Sequence, residues 1–190
     1  MYDRWLNVAD NAISAYGAQQ LRPELTLLLA YMDSMHPESV LEVGSANGGL
    51  AWAIMQMESV SHLVTVDVTP HRLRDEWHNR IIAICGNSTD PKIAHLVWAE
   101  GDYDIVIIDG GHDWKTASSD WNNYARTAKP GGIVVVHDTQ GWHGIVNFDV
   151  PELWRHIRTK LDVVDLISQP GWEAGTGIVW AGTDDWWDVL

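Results

Sequence analysis

Apolar residues recur at helical spacing through the first 35 positions of the chain. Trp5, Leu6, Ala9 and Ile13 fall on one stripe, Gly17 is a natural stop, and Pro23 suits the first turn of a second helix reaching Met35. From residue 40 short apolar runs alternate with helical stretches. The pattern predicts strands over Val40–Val43, Leu63–Val68, Ile81–Cys85, Tyr103–Asp109 and Gly132–His137. Between them it predicts helices over Leu50–Met57, Ile93–Trp98 and Trp114–Ala128, with a short one near Arg72–His78. Ile105–Ile108 and Ile133–Val136 are apolar without a break, as strands buried on both faces of a parallel sheet must be. Lys129-Pro130-Gly131-Gly132 ends one helix and opens the next strand. After residue 150 a helix over Pro151–Leu161 is followed by two strands, Val163–Ser168 and Gly177–Ala181, joined by a turn containing Pro170-Gly171. Strands joined this way pair antiparallel. The expected fold class is therefore α/β: a mostly parallel sheet, helices on both faces, one reversed strand near an edge.

The stretch Val40-Leu41-Glu42-Val43-Gly44-Ser45-Ala46-Asn47-Gly48-Gly49 is a strand that turns sharply into a helix. Gly44 and Gly48 tolerate a left-handed backbone and leave no Cβ between the chain and a ligand. Glu42 sits near the carboxyl end of the strand, where a lone buried carboxylate is costly. In an open α/β sheet, ligands bind beyond those ends. The other ends are polar too: Asp67, then Gly86-Asn87-Ser88, then Asp109-Gly110-Gly111-His112-Asp113, then His137-Asp138-Thr139. Asp67 can accept hydrogen bonds from a ribose diol, or cap a turn. Asn87 and Ser88 can reach a purine edge, or form a turn before Pro91. Nicotinamide sites use G-x-G-x-x-G. Three residues separate Gly44 from Gly48 here, which favours a nucleoside with an amino-acid tail over a pyrophosphate, and Glu42 can order the turn or reach that tail's ammonium through water.

Asp109 and His137-Asp138 form a second cluster on neighbouring strand tips. Two carboxylates facing one cleft repel unless protonated or bridged by a cation, and a hard divalent ion resolves the conflict. His112 follows Asp109 closely enough to face the same space and serve as a general base. The bland alternative has His137 and Asp138 capping a loop and His112 bonded to backbone.

Composition narrows the rest. One domain with a sizeable core suits 190 residues. A formal charge of −14 argues against general nucleic-acid binding, although Arg72, Arg74 and Arg80 are close in sequence. The single cysteine, Cys85, allows no internal disulfide and is expected in a buried strand. No signal core or membrane-spanning run is visible, so a cytoplasmic protein without membrane contact is expected. Twelve tryptophans stand against one phenylalanine. Trp52, Trp98, Trp121, Trp154 and Trp180 lie in periodic segments and are expected in the core. Trp114, Trp142 and Trp172 fall in loops or element starts, where pocket lining and packing are equally open.

Together these residues resemble the class I S-adenosylmethionine-dependent methyltransferases. Glu42-Val43-Gly44-x-x-x-Gly48-Gly49 is similar to their first motif, and Asp67 matches their ribose-binding acid. The series Asp109-Gly110-Gly111-His112-Asp113-Trp114, Asp120, Lys129-Pro130-Gly131-Gly132 and His137-Asp138-Thr139 resembles one branch more closely. That branch holds the small metal-dependent O-methyltransferases of the macrolide-sugar, rhamnosyl and cephalosporin-pathway type. The resemblance covers about residues 38–182, with residues 1–37 as N-terminal helices (a lid or an oligomer contact) and 183–190 as an acidic tail that docks on the body or on a partner. It implies a Rossmann-like sheet of order 3-2-1-4-5-7-6 with strand seven antiparallel. It implies a cofactor site of Glu42, Gly44, Ser45, Asn47, Gly48, Asp67, Asn87, Ser88 and Asp109. It implies a divalent ion, Mg²⁺ or Mn²⁺, held by Asp109, Asp138 and His137, with Asp109 and His112 as catalytic residues. His137 departs from the branch's acidic pair, and an imidazole suits softer ions better than Mg²⁺. The implied acceptor is a hydroxylated small molecule or sugar, gripped by Trp114, Trp142 and His143, and the chain is a possible homo-oligomer. The alternatives are a cofactor-binding protein without turnover, or methyl transfer to a nucleic-acid base or amine.

Overall fold

The computed structural model describes residues 2–69, 79–141, 146–166 and 174–190. Two helices come first, α1 (Tyr2–Tyr16) and α2 (Arg22–Ser34), then β1 (Ser39–Val43), α3 (Gly49–Ile54), β2 (His62–Asp67) and β3 (Ile81–Cys85). The chain continues through α4 (Pro91–Ala99), β4 (Tyr103–Ile108), α5 (Trp114–Tyr124), β5 (Ala128–Gly141), α6 (Val150–Arg158), β6 (Val163–Leu166) and β7 (Ala174–Trp180). The described strands form one seven-stranded sheet of order β3-β2-β1-β4-β5-β7-β6, and β7 runs antiparallel to both neighbours. The expected order and reversed strand are both present. The helix near Arg72–His78 and the Pro170-Gly171 turn lie outside the described residues.

Alternation along the strands splits the interior in two. Leu41, Val43, Val64, Val66, Val106, Val134 and Val136 face a core completed by α4, α5 and α6. Val40, Leu63, Ile105, Ile107, Ile133 and Val135 face the other, completed by α1, α2 and α3. This is the period-two geometry of a strand applied to strands covered on both sides. Helix starts are fixed locally. The Asp90 side chain accepts from the Lys92 N–H at α4, and Asp113 accepts from the Thr116 N–H at α5. α5 ends at Tyr124, short of Ala128, because a 3-10 turn over Ala125–Thr127 intervenes; β5 then starts at Ala128 and carries the Lys129-Pro130-Gly131-Gly132 segment within it.

Three burial expectations are corrected. Trp98 is 36% exposed and Trp180 is 44% exposed, while Trp121 and Trp154 are core. Trp98 lies at the outer end of α4, where its indole N–H donates to the Asn123 carbonyl and the Arg126 guanidinium stacks on it. Trp180 is the last residue of β7. Cys85 is exposed, because β3 is an edge strand with one neighbour and apolar composition alone does not bury an edge. The acidic tail docks on the body: Trp186 and Trp187 pack against the α5 side of the core, and the Trp121 indole donates to the Trp187 carbonyl at 2.9 Å.

α5 also buries a carboxylate. Asp120 is fully buried, and neither oxygen meets hydrogen-bond geometry. Burial pushes its pKa up to about 7, the Ser88 hydroxyl partly offsets this, and the Asp113 charge adds to it. The folded state thus holds this proton more tightly than the unfolded chain, whose ordinary value is 3.8. The stability it contributes is full below pH ~4 and is lost as pH rises through about 7. Asp120→Asn keeps the shape without the charge. Urea unfolding should show the variant gaining on the wild type by about 2–4 kcal/mol between pH 4.5 and pH 8. Parallel stability profiles would rule out this origin.

Candidate active site

The polar strand ends converge. A cavity of about 1050 Å³ opens beyond the tips of β1 to β5, and Glu42, Gly44, Ser45, Asp67, Asn87, Ser88, Asp109, His112, His137 and Asp138 all line it. That is the upper end of the usual range for small-molecule pockets, room for a nucleoside and a second ligand.

Its floor is the glycine turn. The Gly44 N–H donates to the Val66 carbonyl and the Asp109 N–H to the Val43 carbonyl, both at 2.8 Å, so the β1 ladder runs on into the turn. Gly44 has φ +89°, and a Cβ there would overlap the Asp109 carbonyl oxygen. Gly48, at φ +82°, closes the turn by donating to the Ser45 carbonyl and starts α3. The wall is Gly44, Ser45, Ala46, Gly49 and Leu50. Asn47 and Gly48 fall outside it; Asn47 is exposed and lies against Gly17, which does line the cavity.

Asp67 ends β2 and ties the turn down. One carboxylate oxygen accepts from the Ala46 N–H at 2.8 Å, the other from the Thr69 N–H and hydroxyl. Glu42 is 1% exposed with both oxygens outside hydrogen-bond geometry. Burial, then the charges of Asp109 and Asp67, push its pKa well above 4.5, although the Ala51 N–H opposes the shift. An acid so placed carries a proton until a cationic or hydrogen-donating ligand offsets its charge. The Asn87 side chain accepts from the Thr89 N–H and hydroxyl, which makes it a turn residue as well as a lining one.

The second cluster sits on the same cavity. His137 Nδ1 lies 3.0 Å from Asp109 Oδ1 and 3.3 Å from Asp138 Oδ1, and His112 Nε2 lies 2.9 Å from Asp138 Oδ2. Burial resists a charge on His137, but the two carboxylates outweigh it and hold its pKa well above 6.5. The hydrogen bond to Asp138 likewise raises the pKa of His112 against an opposing effect of burial. The His112 ring stacks on Phe148 at 4.5 Å between centroids, and its carbonyl accepts from the Asp149 N–H. Asp138 adopts φ +62°, a left-handed conformation that Asp tolerates better than most residues and that tends to mark functional positions. One ligand atom each from Asp109, His137 and Asp138 lies within 4.8 Å of the others, so the set fits a divalent cation. The imidazole in the set suits a softer divalent ion better than Mg²⁺.

Trp114 does not line the cavity; its ring packs edge-on against His156 at 5.2 Å. Trp142 and His143 lie outside the described residues. Two contributors are not singled out by residue in the sequence, although residues 1–37 are expected as a lid or an oligomer contact. The α1–α2 connector brings Gly17, Ala18, Gln19 and Gln20 to the cavity, and Phe148 backs His112. A polar break between two amphipathic helices looks like any loop.

A methyltransferase-domain family profile matches residues 41–139, more than half of the chain and the whole run from the glycine turn to Thr139. The MycE methyltransferase from the mycinamycin biosynthetic pathway, solved with Mg, SAH and mycinamycin VI, superposes with a TM-score of 0.71 at 16% identity. That superposition covers 94% of this chain but 54% of MycE, so the chain spans about half of MycE's length. An O-methyltransferase from Bacillus cereus in complex with SAH gives a TM-score of 0.63 at 12% identity, covering 95% of this chain and 90% of that one. Cofactor-bound Rv0187 from MTB gives 0.60 at 18% identity, covering 94% and 88%. No curated protein matches by sequence. At such identities the superpositions speak for the fold, and the profile speaks for descent: the chain belongs to the methyltransferase-domain family.

Proposed function

We propose that the chain is an S-adenosylmethionine-dependent O-methyltransferase acting on a hydroxyl of a small molecule or sugar, assisted by a divalent metal. The observation that carries this is the single cavity joining the Gly44 turn and Asp67 to His112, His137 and Asp138. MycE, with Mg, SAH and a macrolide in one structure, supports the pairing of the two halves. S-adenosylmethionine supplies an electrophilic methyl group, and a divalent ion lowers the pKa of an acceptor hydroxyl.

The chain's own residues do the rest. Gly44 and Ser45 let the backbone approach a nucleoside, and Asp67 accepts from its ribose while still bracing the turn. Asp109, His137 and Asp138 would hold the cation. With its Nε2–H given to Asp138, His112 keeps Nδ1 as the basic nitrogen that takes the acceptor's proton. Most of the rate enhancement asked of such a site is alignment of donor and acceptor.

Calorimetric titration with S-adenosylhomocysteine, with and without EDTA, tests the reading. The wild type should bind, and Asp67→Ala should weaken binding about 10- to 100-fold by removing a charged acceptor. Unchanged affinity in the variant would remove Asp67 from the ribose site. No binding by the wild type would remove the cofactor, and with it the activity.

A further inference from the structure

The N-terminal connector supplies a side chain that the family motifs do not contain. Gln20 is 8% exposed, lines the cavity, and donates from Nε2 to Asp109 Oδ2 at 2.6 Å. A carboxylate only accepts, so this bond fixes which end of the amide faces Asp109. The other end, Oε1, is buried and has no hydrogen-bond partner. A buried carbonyl left unpaired costs free energy unless a ligand satisfies it.

The connector is held on both sides. Gly49, in the first turn of α3, has no room for a Cβ, which would overlap the Ala18 backbone, with Ala18 Cα at 2.6 Å. Beyond Gln20, the buried Glu24 in the first turn of α2 accepts from the Gly175 N–H of β7 at 3.1 Å. Gln20 is thus a built feature of the wall. The surroundings define what its oxygen meets. His137 meets Asp109 Oδ1 and Gln20 meets Oδ2, so the two side chains use different oxygens of one carboxylate. The carboxylates of Asp67 and Asp109 lie near Glu42 at the same turn, and the Glu42 oxygens are buried without a hydrogen-bond partner. Acceptors and negative charge together match a primary ammonium.

We propose that Gln20 is a cofactor-binding residue: anchored on Asp109, it accepts through Oε1 a hydrogen bond from the ammonium group of the amino-acid tail of S-adenosylmethionine. This rests on the methyltransferase reading above. The test compares S-adenosylhomocysteine, which carries the tail, with 5′-methylthioadenosine, which lacks it, by calorimetry on the full chain. The Gln20→Met variant keeps the volume and loses both polar atoms, while Gln20→Leu repeats the loss with a different shape. Both variants should bind S-adenosylhomocysteine about 10- to 100-fold more weakly and methylthioadenosine within about twofold of the wild type. Retained methylthioadenosine binding also certifies the fold. An equal loss for the two ligands, or no loss for either, overturns the assignment of Gln20 while leaving the cofactor reading standing. Failure of the wild type to bind either nucleoside overturns both.

Discussion

Asp138→Asn should lower Mn²⁺ affinity at least about 100-fold and cut methyl transfer to a responsive acceptor by about 10²–10³-fold, with S-adenosylhomocysteine affinity nearly unchanged. The reasons are local. Asp138 touches both histidines of the cluster, His112 at 2.9 Å and His137 at 3.3 Å. An amide of the same shape keeps one oxygen but loses the charge that raises the pKa of both rings. The backbone does not suffer, because Asn tolerates φ +62° as well as Asp does. The turn at Gly44 and the carboxylate of Asp67 belong to other strands, so the nucleoside end of the cavity stays intact. Electron paramagnetic resonance of free Mn²⁺ reads the first quantity, and a panel of hydroxylated acceptors reads the second. Intact Mn²⁺ binding would remove Asp138 from the metal set. A parallel fall in cofactor affinity would place it in the nucleoside pocket or in folding.

Gly44→Ala should be the most damaging single methyl group that can be added to the chain's described glycine turns. Its Cβ would overlap the Asp109 carbonyl oxygen and stand 2.7 Å from Gly110 Cα, with backbone on every near side and no flexible side chain to yield. The left-handed φ adds its own penalty of about 1 kcal/mol. To relieve the clash, the tips of β1 and β4 must part, which breaks the Asp109 N–H bond to Val43 and shifts the acid itself. A loss of about 3–5 kcal/mol follows, a large part of a domain's usual margin. Gly131→Ala is the control, since Gly131 has a similar φ of +83° with nothing within 4 Å. Thermal unfolding should place the Gly44 variant about 10 °C or more below wild type and the Gly131 variant within a few degrees. Equal shifts for the two would mean that backbone conformation, and not the close approach to β4, sets the requirement for glycine.

Most of the sheet can be read from the chain because its strands are covered on both faces. Ile105–Ile108 and Ile133–Val136 have no polar residue to confuse the period, and two helix-free strands at the end demand a reversal. The site is legible where chemistry sits on strand ends, since topology brings those ends to one rim whatever the side chains are. Legibility fails where packing between distant segments decides. Gln20 meets Asp109 across 89 residues, and nothing near either position announces it. Trp98 looks like core by spacing, but α4 turns that position toward Arg126 and the solvent. Ile81–Cys85 reads as a buried strand, yet its place at the edge of the sheet depends on the whole topology. Gly48 belongs to the right motif but closes the turn, and Asn47 lies against Gly17 of the α1–α2 connector, a contact that only the backbone path makes.

Among the described residues the two cores have none in common, and the sheet lies between them. At the cavity their outer layers come within reach of one molecule, with Gln20 hanging from the α1–α2 side and Phe148 with His112 from the α5–α6 side. A ligand seated there works like the bolt through a hinge: it joins the two leaves on either side of the plate. Drift in the outer helices is thus free to accumulate independently on either leaf, provided each goes on presenting its one knuckle at the bolt.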